Sequence, residues 1–155
     1  MFPKLIKDNF ETPVDVFNKY GSIHNLHLDV CATAENTKCQ YYYSLVENGL
    51  KQNWGGRVWM NPPYSNIAPW VAKAYRSRNM CEIIVCLLPA STDTKWFHSF
   101  VYRKAGLLFI KGRISFEYKN TTYYHNRYPL MVAIYRPDNI KFSTCPYQTE
   151  LDFPW

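Results

Sequence analysis

With 155 residues, 47% of them hydrophobic, the chain has the length and apolar content for one sizeable core, and it reads as a single domain over 1–155 with a loose arm at 1–9 and a tail at 137–155. The 18 Lys and Arg against 12 Asp and Glu leave a charge of +6, which suits a polyanionic partner, and 17% aromatics supply rings that fill a core or stack on bases. Five cysteines without a CxxC pair argue against a disulfide framework or a zinc knuckle, and no run approaches the roughly 18 apolar residues of a membrane span, so a soluble cytoplasmic protein is expected.

Thr12 and Pro13 read as a helix cap and first turn, and the helix they open runs to Tyr20 and stops at Gly21. "LHLDVCA" at 26–32 alternates like a strand whose end, from Asp29, spills into a loop. "CQYYYSLV" at 39–46 fits strand or helix equally. Arg57–Met60 is a second strand and Ile67–Arg78 an amphipathic helix. Glu82–Leu88 is a nearly continuous apolar run of the kind buried on both faces. Thr94–Lys104 has helical spacing, with Ser91, Thr92 and Asp93 before it as capping residues, and a strand resumes at Leu107–Ile110. Ile114–Tyr118 and Leu130–Tyr135 have no room for a helix between them, so they are expected to pair antiparallel, with 119–128 as an exposed loop. Strand, helix and strand recur, which predicts an open α/β sheet, parallel in its centre and antiparallel at its C-terminal edge.

Ligands of open α/β sheets sit outside the carboxyl ends of the strands, where both Asp29 and Asn61 fall. In "NPPY", 61–64, two prolines remove two backbone donors and fix φ twice, so the turn presents the Asn61 amide oxygen and the Pro62 carbonyl as two fixed acceptors. An exocyclic amine, with two hydrogens to donate, is their natural guest, and Tyr64 is placed to stack on the ring that bears it. Trp59, Trp70 and Phe116 are further candidates to line that pocket, although core filling is the commoner use of large aromatics. Adenine N6 and cytosine N4 both satisfy this pair of acceptors, and a basic DNA-binding module without turnover is the reading from another class. Arg76, Arg78, Arg103, Lys104, Lys111 and Arg113 are candidate phosphate contacts, with a solvated surface role as the default for each. The four histidines share no metal spacing, so no metal is assigned, and the sequence fixes no oligomeric state.

"FETPVDVF" (10–17), "LDVCATAENTKC" (28–39), "NGLKQNW" (48–54), "VWMNPPYS" (58–65), "LLPASTDTKWFH" (87–98) and "IKGRISF" (110–116) together resemble, in order, the small phage-encoded DNA N-6-adenine methyltransferases. The resemblance implies a reduced, single-domain Rossmann-like fold dependent on S-adenosylmethionine, with adenine in DNA as acceptor and Asn61, Pro62 and Tyr64 as the catalytic residues. Around the donor it places Thr12, Pro13, Asp29 and Asn48, with Asp29 facing the methionine ammonium; Cys31 is a further candidate beside Asp29, and Glu47 is a candidate to supply the charge that Asn48 lacks, although an exposed glutamate is the commoner reading. DNA contacts fall to Lys111 and Arg113 and, in the loop that must do any base reading, to Tyr124 and Arg127. Two departures stand out: "CATAEN" replaces a glycine-rich loop after the first strand, and Asn48 stands where the family is expected to have Asp. The phage resemblance implies action in the host cytoplasm and protection of DNA from restriction.

Overall fold

Every second residue of the longest strand points the same way, and in this chain both sets are apolar from position 83 onward. The computed structural model describes residues 11–118, 121–123 and 128–139, with backbone alone for 117, 118 and 121–123. The strands are β1 (Leu28–Asp29), β2 (Tyr41–Tyr42), β3 (Gly56–Met60), β4 (Cys81–Pro89), β5 (Gly106–Phe109), β6 (Phe116–Tyr118), β7 (Thr121–Tyr123) and β8 (Leu130–Tyr135); the α-helices are α1 (Val14–Tyr20), α2 (Ile67–Ser77) and α3 (Lys95–Phe100). Ile84, Cys86 and Leu88 of β4 face one core layer with Val58 and Met60 of β3, Met131 and Ala133 of β8, and Val71 and Phe97 of the helices α2 and α3. Ile83, Val85 and Leu87 face a second layer with Trp59, Leu130 and Val132, covered by Val16 and Tyr20 of α1 and by Ile110, Ile114 and Phe116. The period of two in the unbroken apolar run 83–89, which follows the exposed Glu82, thus makes β4 the spine of a sheet covered on both sides.

Six strands pair in the order β2-β1-β3-β4-β8-β5. β2, β1, β3 and β4 run parallel, while β8 is antiparallel to both β4 and β5. The mixed α/β sheet is therefore the expected one, with one difference in pairing. Leu130–Tyr135 lies between β4 and β5, with Pro89 opposite Leu130 and Phe109 opposite Met131, instead of beside 114–118. The reason is its composition: five of its six positions are buried, which an interior strand requires and a hairpin partner does not. The partner of β6 is β7, in a separate two-stranded sheet joined by the short connection 119–120. The β-branched and aromatic residues of 121–123 form a strand where an exposed loop was expected.

The helices start and stop somewhat differently from the sequence reading. Pro13, with ψ of 143°, takes the capping position of α1, and no side chain caps that end. Thr12 is buried elsewhere, as described below. α2 ends at Ser77 and passes into a 3-10 turn at Arg78–Met80. α3 covers Lys95–Phe100 only, with Thr94 and not Ser91, Thr92 or Asp93 at its capping position; the Thr94 hydroxyl instead donates to the Ser91 carbonyl at 2.7 Å.

Because α2 returns the chain from the carboxyl end of β3 to the amino end of β4, its last residues sit at the amino edge of the sheet. The same holds for the end of α3, which precedes β5. Arg76, Arg78, Arg103 and Lys104 therefore lie at the edge opposite Asn61, which removes them from any phosphate contact around that residue. Arg78 holds Asp138 at 2.8 and 2.7 Å and covers the Tyr75 ring at 4.0 Å, a structural tie between α2 and the end of β8. Lys111 and Arg113 follow β5, whose direction matches that of β4, so they are exposed at the carboxyl edge.

Candidate active site at the carboxyl edge of β1 and β3

The chain leaves β1 toward β2 on one side and returns to β3 on the other, so the strand order reverses between β1 and β3 and opens a crevice at their carboxyl ends. Leu28 pairs with Val58 and Asp29 with Trp59, which sets Asp29 one strand away and two residues back from Asn61. Strand spacing and rise put their Cα atoms about 8 Å apart.

Asp29 is 4% exposed. Its Oδ1 accepts the Cys31 N–H at 3.1 Å, and its carbonyl accepts the Tyr43 N–H at 2.8 Å. Burial pushes its carboxyl up to about 6, against the lowering effects of the Cys31 and Lys38 backbone hydrogen bonds and the Lys38 charge. The protein thus supplies only part of the compensation that this carboxylate needs, and a cation in the crevice would supply the rest. Lys38 was invisible as a site residue because the eight residues 30–37 separate it from Asp29 in the sequence. Cys31 and Cys39 stand close enough for the carboxylate to raise both thiols; burial is the larger cause in each, and it takes Cys39 up to about 12. Neutral thiols beside Asp29 add no competing charge.

The loop after β1 is not a glycine-rich turn. Thr33 N–H donates to Asn36 Oδ1 at 2.7 Å and Thr37 N–H to the Thr33 carbonyl at 3.0 Å, so side-chain chemistry closes the turn. The loop at 44–50 reaches the same edge by close approach of backbone. A Cβ on Gly49 would lie 2.3 Å from the Val30 carbonyl oxygen, and the Gly49 carbonyl accepts the buried Trp54 indole N–H at 2.8 Å. Trp54 in turn stacks on Trp70 of α2, with centroids 6.4 Å apart, so Trp70 anchors this loop. Gly49→Ala is expected to lower unfolding stability by roughly 1–3 kcal/mol in urea titrations, since the contact is with backbone and cannot be relieved by a rotamer change. An unchanged midpoint would show that the loop tolerates withdrawal from β1.

Asn48 precedes that glycine with φ of 55°, a left-handed conformation that Asn and Asp tolerate better than most residues. Its Oδ1 accepts the Leu50 N–H at 3.3 Å. Glu47, by contrast, is exposed and turned onto Ser44, whose N–H it accepts at 2.9 Å and whose hydroxyl it also holds; these bonds keep its carboxyl below the ordinary range. The structure gives Glu47 a turn-closing role and does not bring it into the crevice.

Asn61 follows β3 directly and is half-buried. Its Nδ2 donates to the Thr12 hydroxyl at 2.9 Å, and Thr12 is 4% exposed. Pro62 is buried, and Pro63 enters a 3-10 turn at Tyr64–Asn66 with φ of −62° and ψ of 118°. The Tyr64 hydroxyl donates to the Leu87 carbonyl at 3.3 Å, and its ring meets Phe116 edge to face at 6.1 Å. Burial raises the Tyr64 phenol well above its ordinary range, so it stays neutral. Phe116 is thereby brought to the NPPY turn by side-chain contact, while the Lys111–Arg113 segment shares its edge of the sheet by topology. Trp59 is fully buried with its ring 5.2 Å from Phe17, so it belongs to the core and not to a pocket wall. Tyr124 and Arg127 lie outside the described residues. Among the described residues no group of His, Cys, Asp and Glu is placed to hold a metal ion, and no helix is long and apolar enough to cross a membrane.

This sheet order, with the carboxyl-edge crevice between β1 and β3, is that of a small Rossmann-like methyltransferase fold. A solved structure from Pyrococcus horikoshii, assigned as an RNA methyltransferase, superposes with a TM-score of 0.58 over 88% of this chain and 90% of its own, at 12% identity. The chain itself belongs to the DNA N-6-adenine-methyltransferase (Dam) family, whose model matches residues 1–149, and so to the adenine-specific DNA methyltransferases. It is 34% identical over 139 residues to the DNA N-6-adenine-methyltransferase of Haemophilus phage HP1, covering 84% of this chain and 80% of the relative. It is 32% identical over 127 residues to that of Escherichia phage T1, covering 78% of this chain and 52% of the longer relative.

Proposed function

We propose that this chain, as one methyltransferase domain, moves the methyl group of S-adenosylmethionine to N6 of an adenine swung out of DNA into the crevice beside Asn61. The observation that carries the reading is the delivery of Asp29 and Asn61 to one crevice from adjacent strands. The residues fit the donor: a buried carboxylate whose own protein leaves its charge under-compensated is a seat for an ammonium group, with Cys31 bonded to it; Pro13 and Asn48 are assigned to the same donor site. When bound, the donor supplies an electrophilic methyl on a positively charged sulfur.

The remaining chemistry is the protein's. The N6 lone pair is delocalised into the adenine ring and attacks poorly. Asn61 Oδ1 and the Pro62 carbonyl accept hydrogen bonds from the two N6–H groups and stabilise the positive charge that grows on nitrogen as its bond to the methyl carbon forms and the carbon–sulfur bond breaks; the surplus N6 proton then leaves to water. They need no reorganisation at that moment because paired prolines fix the turn. N6 lies on the Watson–Crick face, so the base leaves the duplex at a cost of a few kcal/mol, and contact with Tyr64 offsets part of it. The Tyr64 bond to Leu87 and its contact with Phe116 hold that ring in place. Host cytoplasm is the compartment in which such a chain would meet phage or bacterial DNA.

Labelled donor with unmethylated DNA, followed by digestion to nucleosides, tests the reading. N6-methyladenine is the expected product; N4-methylcytosine would reassign the acceptor, and no methylated nucleoside would leave a DNA-binding module. At the donor's adenine end, Asn48→Asp is expected to tighten donor binding, because a carboxylate accepts more strongly from an amine and the left-handed backbone admits either residue. Equal dissociation constants would remove position 48 from the donor site. Arg113→Ala is expected to weaken binding to every DNA sequence and to reduce the slope of log K against log salt by about 1, the signature of one lost phosphate contact. An unchanged slope would return Arg113 to the solvated surface.

A further inference from the structure

The carboxamide of asparagine has two arms that differ little in size and turn about a broad, roughly two-fold torsion, so the turn that carries Asn61 does not by itself decide which arm faces the crevice. The distinction matters to the amine. An NH2 group brings donors only, and it meets an acceptor from one orientation of the amide and another NH2 from the other. In this structure Nδ2 is directed to the Thr12 hydroxyl at 2.9 Å, which sends Oδ1 the other way.

We infer that Thr12 is a positioning residue for methyl transfer: its buried hydroxyl fixes the plane of the Asn61 carboxamide with the oxygen free to receive the adenine amine, and it is not a ligand of the donor. The inference rests on the reading of Asn61 as the amine acceptor. Three observations support it besides the bond itself. Thr12 is 4% exposed, so water does not compete for its hydroxyl. Threonine is branched at Cβ, which restricts χ1 and holds the hydroxyl where it is. The next residues are clamped to the strand that carries Asn61, since Phe17 meets Trp59 at 5.2 Å and Val16 and Tyr20 are buried beside it. A hydroxyl can also donate to Oδ1 of the opposite amide orientation, but the incoming amine disfavours that arrangement, so protein and substrate select the same one.

The test compares Thr12→Val, which keeps shape and removes the hydroxyl, with Thr12→Ser, which keeps the hydroxyl, in the full chain. The rate of methyl transfer at saturating donor and DNA, the donor dissociation constant and the melting temperature are measured for each. Thr12→Val is expected to slow transfer about ten- to hundredfold, the scale of a misplaced catalytic group, with donor affinity within about twofold of wild type. Thr12→Ser is expected to recover most of the rate. If Thr12→Val does not fold, Thr12→Ala carries the same comparison without its added methyl. A Val or Ala variant as fast as wild type, a loss that vanishes at saturating donor, or a Ser variant as slow as Val would each overturn the inference. These outcomes require an active wild type, whereas a wild type that makes no N6-methyladenine overturns the reading of Asn61 and the role of Thr12 with it.

Discussion

Asn61→Ala is expected to abolish methyl transfer, by at least about 10²–10³ in rate, while leaving the protein folded and its donor affinity unchanged within about twofold. The side chain is half-buried and, among the described residues, its hydrogen bond is to Thr12, so the stability cost is that of a single hydrogen bond, about 1 kcal/mol. The catalytic cost is larger because the acceptor is needed most when charge develops on N6, and water entering the vacated volume would have to reorient to replace it. Asn61→Gln is the more searching variant. It keeps the carboxamide and adds one methylene, which moves the oxygen by more than 1 Å and disrupts the bond to Thr12. A loss near that of alanine is expected. Single-turnover rates and donor titration together check both variants, and an Asn61→Ala protein that transfers methyl groups at the wild-type rate would end the assignment.

Asp29→Asn is expected to make the donor-free protein more stable and the donor weaker. Burial has raised this carboxyl from 3.8 to about 6, so the folded protein holds the proton more tightly than the unfolded chain does. The resulting stability is fully present below about pH 4 and is lost as pH rises from there to about 6; the loss amounts to on the order of 3 kcal/mol at neutral pH. Asparagine carries no charge to desolvate and still accepts the Cys31 N–H. Its advantage in melting temperature should therefore appear at pH 7 and vanish near pH 4. Donor binding runs the other way. Only the ionised carboxylate pairs with an ammonium, so wild-type affinity should fall about tenfold between pH 7 and pH 5, and Asp29→Asn should show a weak, flat profile across that range. A wild-type dissociation constant that ignores pH between 5 and 7 would detach Asp29 from the donor.

The sequence reading placed the two strand ends of the candidate site better than it placed their neighbours. Asp29 and Asn61 were legible because strand ends and a double-proline turn are local signals, and the topology of an open sheet then brings such ends to one edge. Thr12 was read as a cap because Thr-Pro before an apolar run has that local meaning, whereas its actual partner lies 49 residues away and no spacing rule connects them. Glu47 was drawn to the site by its position beside Asn48, but a turn sends adjacent side chains in different directions. The cations of α2 and α3 were read without direction; knowing that a helix returns the chain to the amino edge separates Arg76 and Lys104 from Lys111 and Arg113. The pairing error had a similar origin. Ile114–Tyr118 and Leu130–Tyr135 are both apolar strands close in sequence, and proximity favoured a hairpin over the buried slot that the composition of β8 demands.

That slot bears on how the protein comes into being. Until residues 130–135 emerge, β5 has no neighbour in the main sheet and one long side of β4 offers unsatisfied amides and carbonyls to the surroundings. The segment carrying Lys111, Arg113 and Phe116 hangs from β5, so it too lacks a fixed seat against Tyr64 during translation. Newly made chains should accordingly be inert toward DNA, and prone to associate through that open side, until the last strand slides between its two older neighbours.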